Sequence, residues 1–210
     1  MGNEASKSVP RRLLDPAFAD TYFVGDGIDI GAGSDCIERH RDAFPQMGTV
    51  RRWDVEDGDA MFMASVPNNA VAWVHSSHCL EHLLNPQVAL SHWLRIVTPG
   101  GYVVVLVPDE DMYEQGLWPP AFNPDHRWTF TCYKARSWSP RTVNLLAILM
   151  SLGSDVELIK LESLQHTFDW SMPRGDQTGG IGEAAIEIIL RKRPWAEVEQ
   201  GGRVGAARFG

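Results

Sequence analysis

Tyr102-Val103-Val104-Val105-Leu106-Val107 is an apolar run with no polar alternation. A strand with one wet face alternates, whereas an unbroken apolar run is buried on both faces, as parallel strands in α/β sheets are. Such a strand needs a packed layer over each face, so it restricts the chain to a sheet with helices on both sides. The residues before it agree. Asn85-Pro86 reads as a helix start, with Asn as N-cap and Pro where its missing N–H costs nothing. Val88, Ala89, Trp93, Leu94 and Val97 then recur at helical spacing, and Thr98-Pro99-Gly100-Gly101 stops the helix.

Further elements alternate in the same way. Strands are expected at Gly27–Ile30, Val50–Val55, Ala70–Ser76, Val156–Leu164 and Ala184–Arg191. Asp15–Phe23 reads as a short helix or lead-in, and Ser34 or Asp35 as the cap of a helix ending near His40. Pro140–Leu152 reads as a further helix closed at Gly153. The expectation is a doubly wound, mostly parallel sheet. Residues 1–12 read as a flexible leader, 13–193 as the domain, and 194–210 as a flexible Gly-rich tail.

The chain has 210 residues, 44% hydrophobic and 22% charged, which suits one globular domain with a sizeable core. Its formal net charge of −8 disfavours a nucleic-acid backbone as main partner. No apolar run approaches the roughly 20 residues of a membrane span, and Met1–Pro10 lacks an apolar signal segment. Cys36, Cys79 and Cys132 are widely spaced and form no CxxC pair, which suits a reducing, cytoplasmic setting and gives no zinc motif.

Gly31-Ala32-Gly33 joins the first strand to the next element, a turn in which a ligand can approach the backbone closely. A dinucleotide fingerprint would place Gly or Ala where Cys36 stands. Asp29, at the strand end, would repel a pyrophosphate but suit a ligand carrying an ammonium and a sulfonium. Its alternative role is to accept backbone N–H groups in the turn.

In order along the chain, four segments resemble the class I S-adenosylmethionine-dependent methyltransferases, in particular the broad small-molecule group known as type 11. Gly27–Gly33 resembles the first motif, Asp54 the acid ending the second strand, Asp59-Ala60 the pair bordering adenine, and Val74–Leu83 the fourth-strand motif. Trp93–Gly101 resembles the motif before the fifth strand. The resemblance implies a Rossmann-like fold and S-adenosylmethionine as cofactor, held by Asp29, Gly31, Ala32, Gly33, Asp54, Asp59, Ala60, Ser76, Ser77 and His78. Asp54 is assigned to the ribose and Asp59 to the adenine; Asp54 lies 23 positions past Gly31 (54 − 31), near the roughly 20 of the dinucleotide fold. Only Val55–Gly58 separates the two acids, too little for a helix, so the third strand is expected to be reduced or absent.

Methyl transfer from a sulfonium needs acceptor and methyl held in line, with a base where the acceptor is a hydroxyl. His126 in Asp125-His126-Arg127 is the first candidate base. His78 is a further catalytic candidate, as a contact to cofactor or acceptor or else the start of the following helix. Asp109 is another, as a residue that orients the acceptor or else caps a turn, and Glu81-His82 reads as cofactor-shaping. The aromatic residues from Tyr113 to Trp138 are candidates for a lid or acceptor pocket, and Arg127, Arg136 and Arg141 for an anion site. No Asn-Pro-Pro-Tyr motif of nucleic-acid base methylation follows the fourth strand. A small molecule or glycan precursor is therefore the expected acceptor, methylated on oxygen or nitrogen. The competing readings are a non-catalytic binding relative and an NAD-dependent oxidoreductase. Oligomeric state is not legible.

Overall fold

The central strand is β4 (Val97–Pro108), and its side chains divide as the apolar run requires. Val103, Val105 and Val107 enter a core with Leu90, Trp93 and Leu94 of a helix α2 (Pro86–Ile96). Val104 points the other way, into a core with Ala5, Val9, Phe18, Phe23, Ile37 and Phe44. The computed structural model describes residues 3–203; the end of the expected tail, 204–210, lies outside them.

Six strands form the main sheet. They are β1 (Gly25–Ile30), β2 (Met47–Trp53), β3 (Val71–Ser77), β4, β7 (Val156–Leu164) and β8 (Ala185–Lys192). Their order is β2-β1-β3-β4-β8-β7. β2, β1, β3 and β4 run parallel, and β8 pairs antiparallel with both β4 and β7. The chain leaves β1 toward one side for β2 and returns on its other side for β3. The crevice at this reversal, beyond the carboxyl ends of the strands, is where α/β sheets bind ligands.

Helix α2 begins as the sequence implies, with Asn85 Oδ1 accepting from Val88 N–H at 3.1 Å. No strand follows Asp59 before Val71 among the described residues. Instead Met61, Met63 and Val66 are buried in a non-regular segment, clamped by Arg95 of α2. The Arg95 guanidinium donates to the carbonyls of Phe62, Met63 and Val66 and to Asn68 Oδ1. One charged fork thus satisfies carbonyls that no strand pairs.

Several expectations are corrected. Residues 4–12 are no loose leader: they form α1 (Glu4–Arg12), and Ala5, Ser8, Val9 and Arg12, at i, i+3, i+4 and i+7, are its buried face. The expected flexible tail continues in a short helix α4 (Trp195–Glu199), tied to the sheet by Glu197 on Arg191 at 2.7 Å. After the glycine turn there is only a 3-10 turn, Ile37–His40, and neither Ser34 nor Asp35 caps it. Asp35 instead accepts from Ser6 of α1, its Oδ2 from the backbone N–H at 2.9 Å and its Oδ1 from the hydroxyl. Over 140–152 the first residues form β6 (Thr142–Asn144), paired with β5 (Thr129–Thr131), before α3 (Leu145–Ser151). Asn144 Oδ1 caps α3 by accepting from Ala147 N–H, and its end at Leu152 is extended rather than left-handed.

Candidate active site

A cavity of about 1090 Å³ opens beyond the ends of β1, β2 and β3. Its walls include Asp29, Gly31, Ala32, Gly33, Asp54, Asp59, Ala60, Ser77, His78 and His126, residues scattered over nearly a hundred positions. Two further expected residues are not in the wall. Ser76 is fully buried, and its hydroxyl donates to Ile30 carbonyl at 3.1 Å, tying β3 to β1. Asp109 is spent as a cap: Oδ1 accepts from Asp111 and Met112 N–H at 2.9 and 3.3 Å, opening a helical turn Glu110–Glu114. Burial raises its carboxyl to about 6, but it lies outside the cavity.

The glycine turn is dictated by its surroundings. Gly31 has φ +71°, and a Cβ there would come within 2.6 Å of Cys79 Cβ. Both the left-handed backbone and the contact exclude a side chain. Beside it, Asp29 Oδ2 accepts from Ile37 N–H at 2.7 Å and Oδ1 faces His75 Nδ1 at 2.6 Å. Thus the alternative role read for Asp29, accepting backbone N–H, is realised while it still lines the cavity. His75 Nε2 lies 3.1 Å from the Arg12 guanidinium, which can only donate, so the imidazole is the neutral tautomer with its proton on Nδ1 toward Asp29. Arg12 also binds Glu187 at 3.1 Å. Burial pushes Glu187 up, but Arg12, Arg11 and Lys160 outweigh it and hold it at about 2. The turn is therefore anchored through Asp29, His75 and Arg12 to a buried ion cluster on β8.

Asp54 follows β2 and its Oδ1 accepts from Gly33 N–H at 3.0 Å, joining the two motif segments across one edge of the cavity. Its other oxygen takes Arg52, and Asp54 and Asp57 cap the turn Val55–Asp57 reciprocally. Asp59 Oδ1 accepts from Met61 N–H at 2.8 Å, and Ala60 carbonyl accepts from Trp93 Nε1 at 2.9 Å.

The far end of the cavity is a cluster of ionisable groups. His126 is 5% exposed; Nδ1 lies 2.9 Å from Glu114 Oε1, and its ring stacks on Tyr113. Nε2 lies 3.8 Å from Glu81 Oε1, and His82 Nε2 lies 3.9 Å from the same atom. Glu81 is fully buried, and neither of its carboxyl oxygens has a hydrogen-bond partner; Glu114 Oε2 has none either. Burial drives all of these toward neutral forms: Glu81 rises well above its ordinary value, Glu114 rises to about 8 and His126 falls to about 4. His78, whose backbone is left-handed at φ 53°, is pushed by burial to about 3, with Ser77 Oγ 3.1 Å from its Nδ1.

Among the aromatic residues considered for a lid, Tyr113 lines the cavity; Phe130 and Trp128 belong to the core, and Tyr133 is 71% exposed. Arg127, Arg136 and Arg141 are not in the wall, and Arg141 lies over the Trp128 ring. The sequence reading missed Glu4, Ala5 and Lys7 of α1, and Asp176, Thr178 and Gly179 of the β7–β8 connection, which close the other sides. The buried face of α1 includes Ser8 and Arg12, so it left no apolar stripe to read, and the long connection carries no signal either.

A doubly wound sheet with an antiparallel β8 and a glycine turn at its chain reversal defines a Rossmann-like fold that binds a ligand in the crevice at that reversal. A family model described as a methyltransferase domain matches residues 10–141, well over half of the chain. The chain belongs to this methyltransferase family and is an S-adenosylmethionine-dependent methyltransferase. The nicotinamide reading is thereby set aside. Its fold is similar to an S-adenosylmethionine-dependent methyltransferase from Archaeoglobus fulgidus, with TM-score 0.56 and 18% identity over 91% of this chain and 95% of that one. A chain of the complex between the Haloferax volcanii Trm112 methyltransferase activator and a methyltransferase candidate gives TM-score 0.59 and 13% identity, covering 91% of both. An Aquifex aeolicus S-adenosylmethionine-dependent methyltransferase gives 0.50 and 11%, covering 88% and 97%. No curated protein sequence matches significantly. No helix among the described residues is long and apolar enough to cross a membrane.

Proposed function

We propose that this methyltransferase acts on a small polar molecule or glycan precursor, methylating oxygen or nitrogen. The observation that carries this is the enclosed polar end of the cavity. His126 and Glu81 line it and are each at most 5% exposed, a setting that suits a small polar group rather than a flat macromolecular surface. The volume also leaves room for an acceptor beside a nucleoside-sized cofactor.

In this reading Asp29, Gly31, Ala32 and Gly33 border the methionine part of the cofactor, Asp54 the ribose, Asp59-Ala60 the adenine, and Ser77-His78 the methyl-bearing sulfur. An acceptor lone pair attacks the methyl carbon as the C–S bond breaks, its electron pair remaining on sulfur in S-adenosylhomocysteine. His126 Nε2 faces the acceptor and takes or orients its proton, and the near-attack geometry supplies most of the acceleration. Ser76 and Asp109 have no direct part. The free thiols Cys36, Cys79 and Cys132 accord with a reducing compartment, and we assign the protein to the cytoplasm.

The test begins with calorimetric titration of S-adenosylmethionine into the wild type and Asp54→Ala. Release of S-adenosylhomocysteine is then followed with hydroxylated metabolites, amines and sugars as acceptors. Saturable cofactor binding weakened by the substitution, with turnover on a small acceptor, is the expected result. Turnover confined to protein or RNA overturns the acceptor class. Binding without turnover on any acceptor favours the non-catalytic relative.

A further inference from the structure

We propose that Glu81, His82 and His126 form a binding site for one divalent first-row transition ion at the acceptor end of the cavity. One ligand atom from each lies within 4.8 Å of the others. Ligands each about 2.1 Å from a shared ion are at most about 4.2 Å apart. The 3.8 and 3.9 Å separations of the two imidazole Nε2 atoms from Glu81 Oε1 meet that limit.

The surroundings of the three residues support an ion more than geometry alone does. Both imidazoles are oriented from behind. His82 Nδ1 lies 3.1 Å from Asp125 carbonyl, an acceptor that requires the proton on Nδ1. His126 Nδ1 lies 2.9 Å from Glu114 Oε1. Each ring is thereby held with Nε2 toward Glu81, the arrangement by which outer carboxylates and carbonyls fix metal-binding histidines. Glu81 supplies the independent observation: a fully buried carboxyl with both oxygens unpartnered, in the cavity wall. A buried carboxylate left so is costly unless a cation meets it.

Two imidazoles and one carboxylate make a donor set for Zn²⁺ or Fe²⁺ rather than for Mg²⁺ or Ca²⁺, which prefer all-oxygen shells. Three protein ligands leave a coordination position open on the cavity side for an acceptor oxygen. An ion there would make a bound hydroxyl more acidic, taking over from His126, whose Nε2 is then a ligand. That role toward the acceptor rests on the proposed methyl transfer; ion binding itself does not.

The full-length protein, stripped with a chelator, is titrated with Zn²⁺ by calorimetry, and with Co²⁺ while its visible d–d absorption is followed. The expected result is one ion per chain and a Co²⁺ spectrum shifted from that of the aqueous ion. Binding falls at least tenfold in Glu81→Gln and in His126→Asn, and is unchanged in His166→Ala, a histidine outside the cluster. Circular dichroism checks that each variant folds, and His82→Asn, at a less buried position, serves if either core variant does not. Absence of stoichiometric binding, or binding indifferent to all three ligand substitutions, overturns the site. S-adenosylmethionine titrated into the same samples separates the outcomes: cofactor binding without ion binding removes the metal site alone, and the reverse removes the cofactor reading alone.

Discussion

The two ends of the cavity treat their carboxylates in opposite ways. At the glycine turn every acid is engaged: Asp29 with Ile37 N–H and His75, Asp54 with Gly33 N–H and Arg52, Asp59 with Met61 N–H. At the other end Glu81 has no partner for either oxygen, and Glu114 has one for only one of its two. A network satisfied before any ligand arrives is pre-organised, so it holds shape at no reorganisation cost on binding. Unsatisfied buried groups cost stability and gain most when a ligand completes them. The first pattern suits the parts of a cofactor that keep their structure through turnover, and the second suits chemistry.

Exchanging one acid at each end for its amide tests the contrast most directly. Asp29→Asn places a donor against Ile37 N–H or against the His75 proton and is expected to cost about 3 kcal/mol in urea unfolding. A loss below about 1 kcal/mol would mean that the turn is not anchored through Asp29. Next, Asp54→Ala is expected to weaken S-adenosylmethionine roughly tenfold to a hundredfold, the worth of charge-assisted bonds to hydroxyls. Unchanged affinity would move the ribose contact to another acid.

The pH dependence of stability comes third. Burial holds Glu114 at about 8 in the fold against an ordinary 4.5, so the folded state keeps a proton that the unfolded chain releases. Stability from this group is complete below about pH 4.5 and is lost as pH rises through 8. His126 and His78, depressed to about 4 and about 3, work the other way, but only below their ordinary 6.5. Between pH 6.5 and 8 the chelator-treated protein is therefore expected to lose stability, and Glu114→Gln to remove on the order of 1–2 kcal/mol of that loss. Parallel slopes in the two proteins would show that Glu114 is ionised throughout. The smallest expected change is Glu81→Gln in the ion-free protein at about pH 4.5: within about 0.5 kcal/mol of wild type, since burial already keeps the folded carboxyl neutral and no partner is broken. A loss as large as that of Asp29→Asn would show that Glu81 is already engaged, and would erase the contrast between the two ends.

How far the sequence could be read differed between the same two ends. The glycine turn, Asp29 and Asp54 are local, each at the end of a strand, and Asp59 and Ala60 follow Asp54 by one short turn. The gap between Asp54 and Asp59 also foretold the missing third strand, although nothing in it named Arg95 as the clamp. The acceptor end is assembled from three connections. Glu81-His82 follows β3, Glu114 stands on the turn after β4, and His126 lies in a segment without periodicity. His126 stood out only through the place of Asp125-His126-Arg127 in a loop expected to cover the acceptor, and its partner twelve positions earlier in sequence did not stand out.

What the sequence by itself determined is the layered parallel sheet and its glycine turn, because short-range patterns of apolar, Gly, Pro and acidic residues set strands, turns and caps. Its class of chemistry was legible only through the resemblance of those segments to class I methyltransferases. Tertiary structure alone decided that residues 4–12 wall the cavity and that Arg12 reaches Glu187 from 175 positions away. It decided likewise that Asp109 caps a turn, and that Glu81 stands unpartnered between two imidazoles. Burial and charge pairing depend on distances in space, and distances across loops leave no period in the chain.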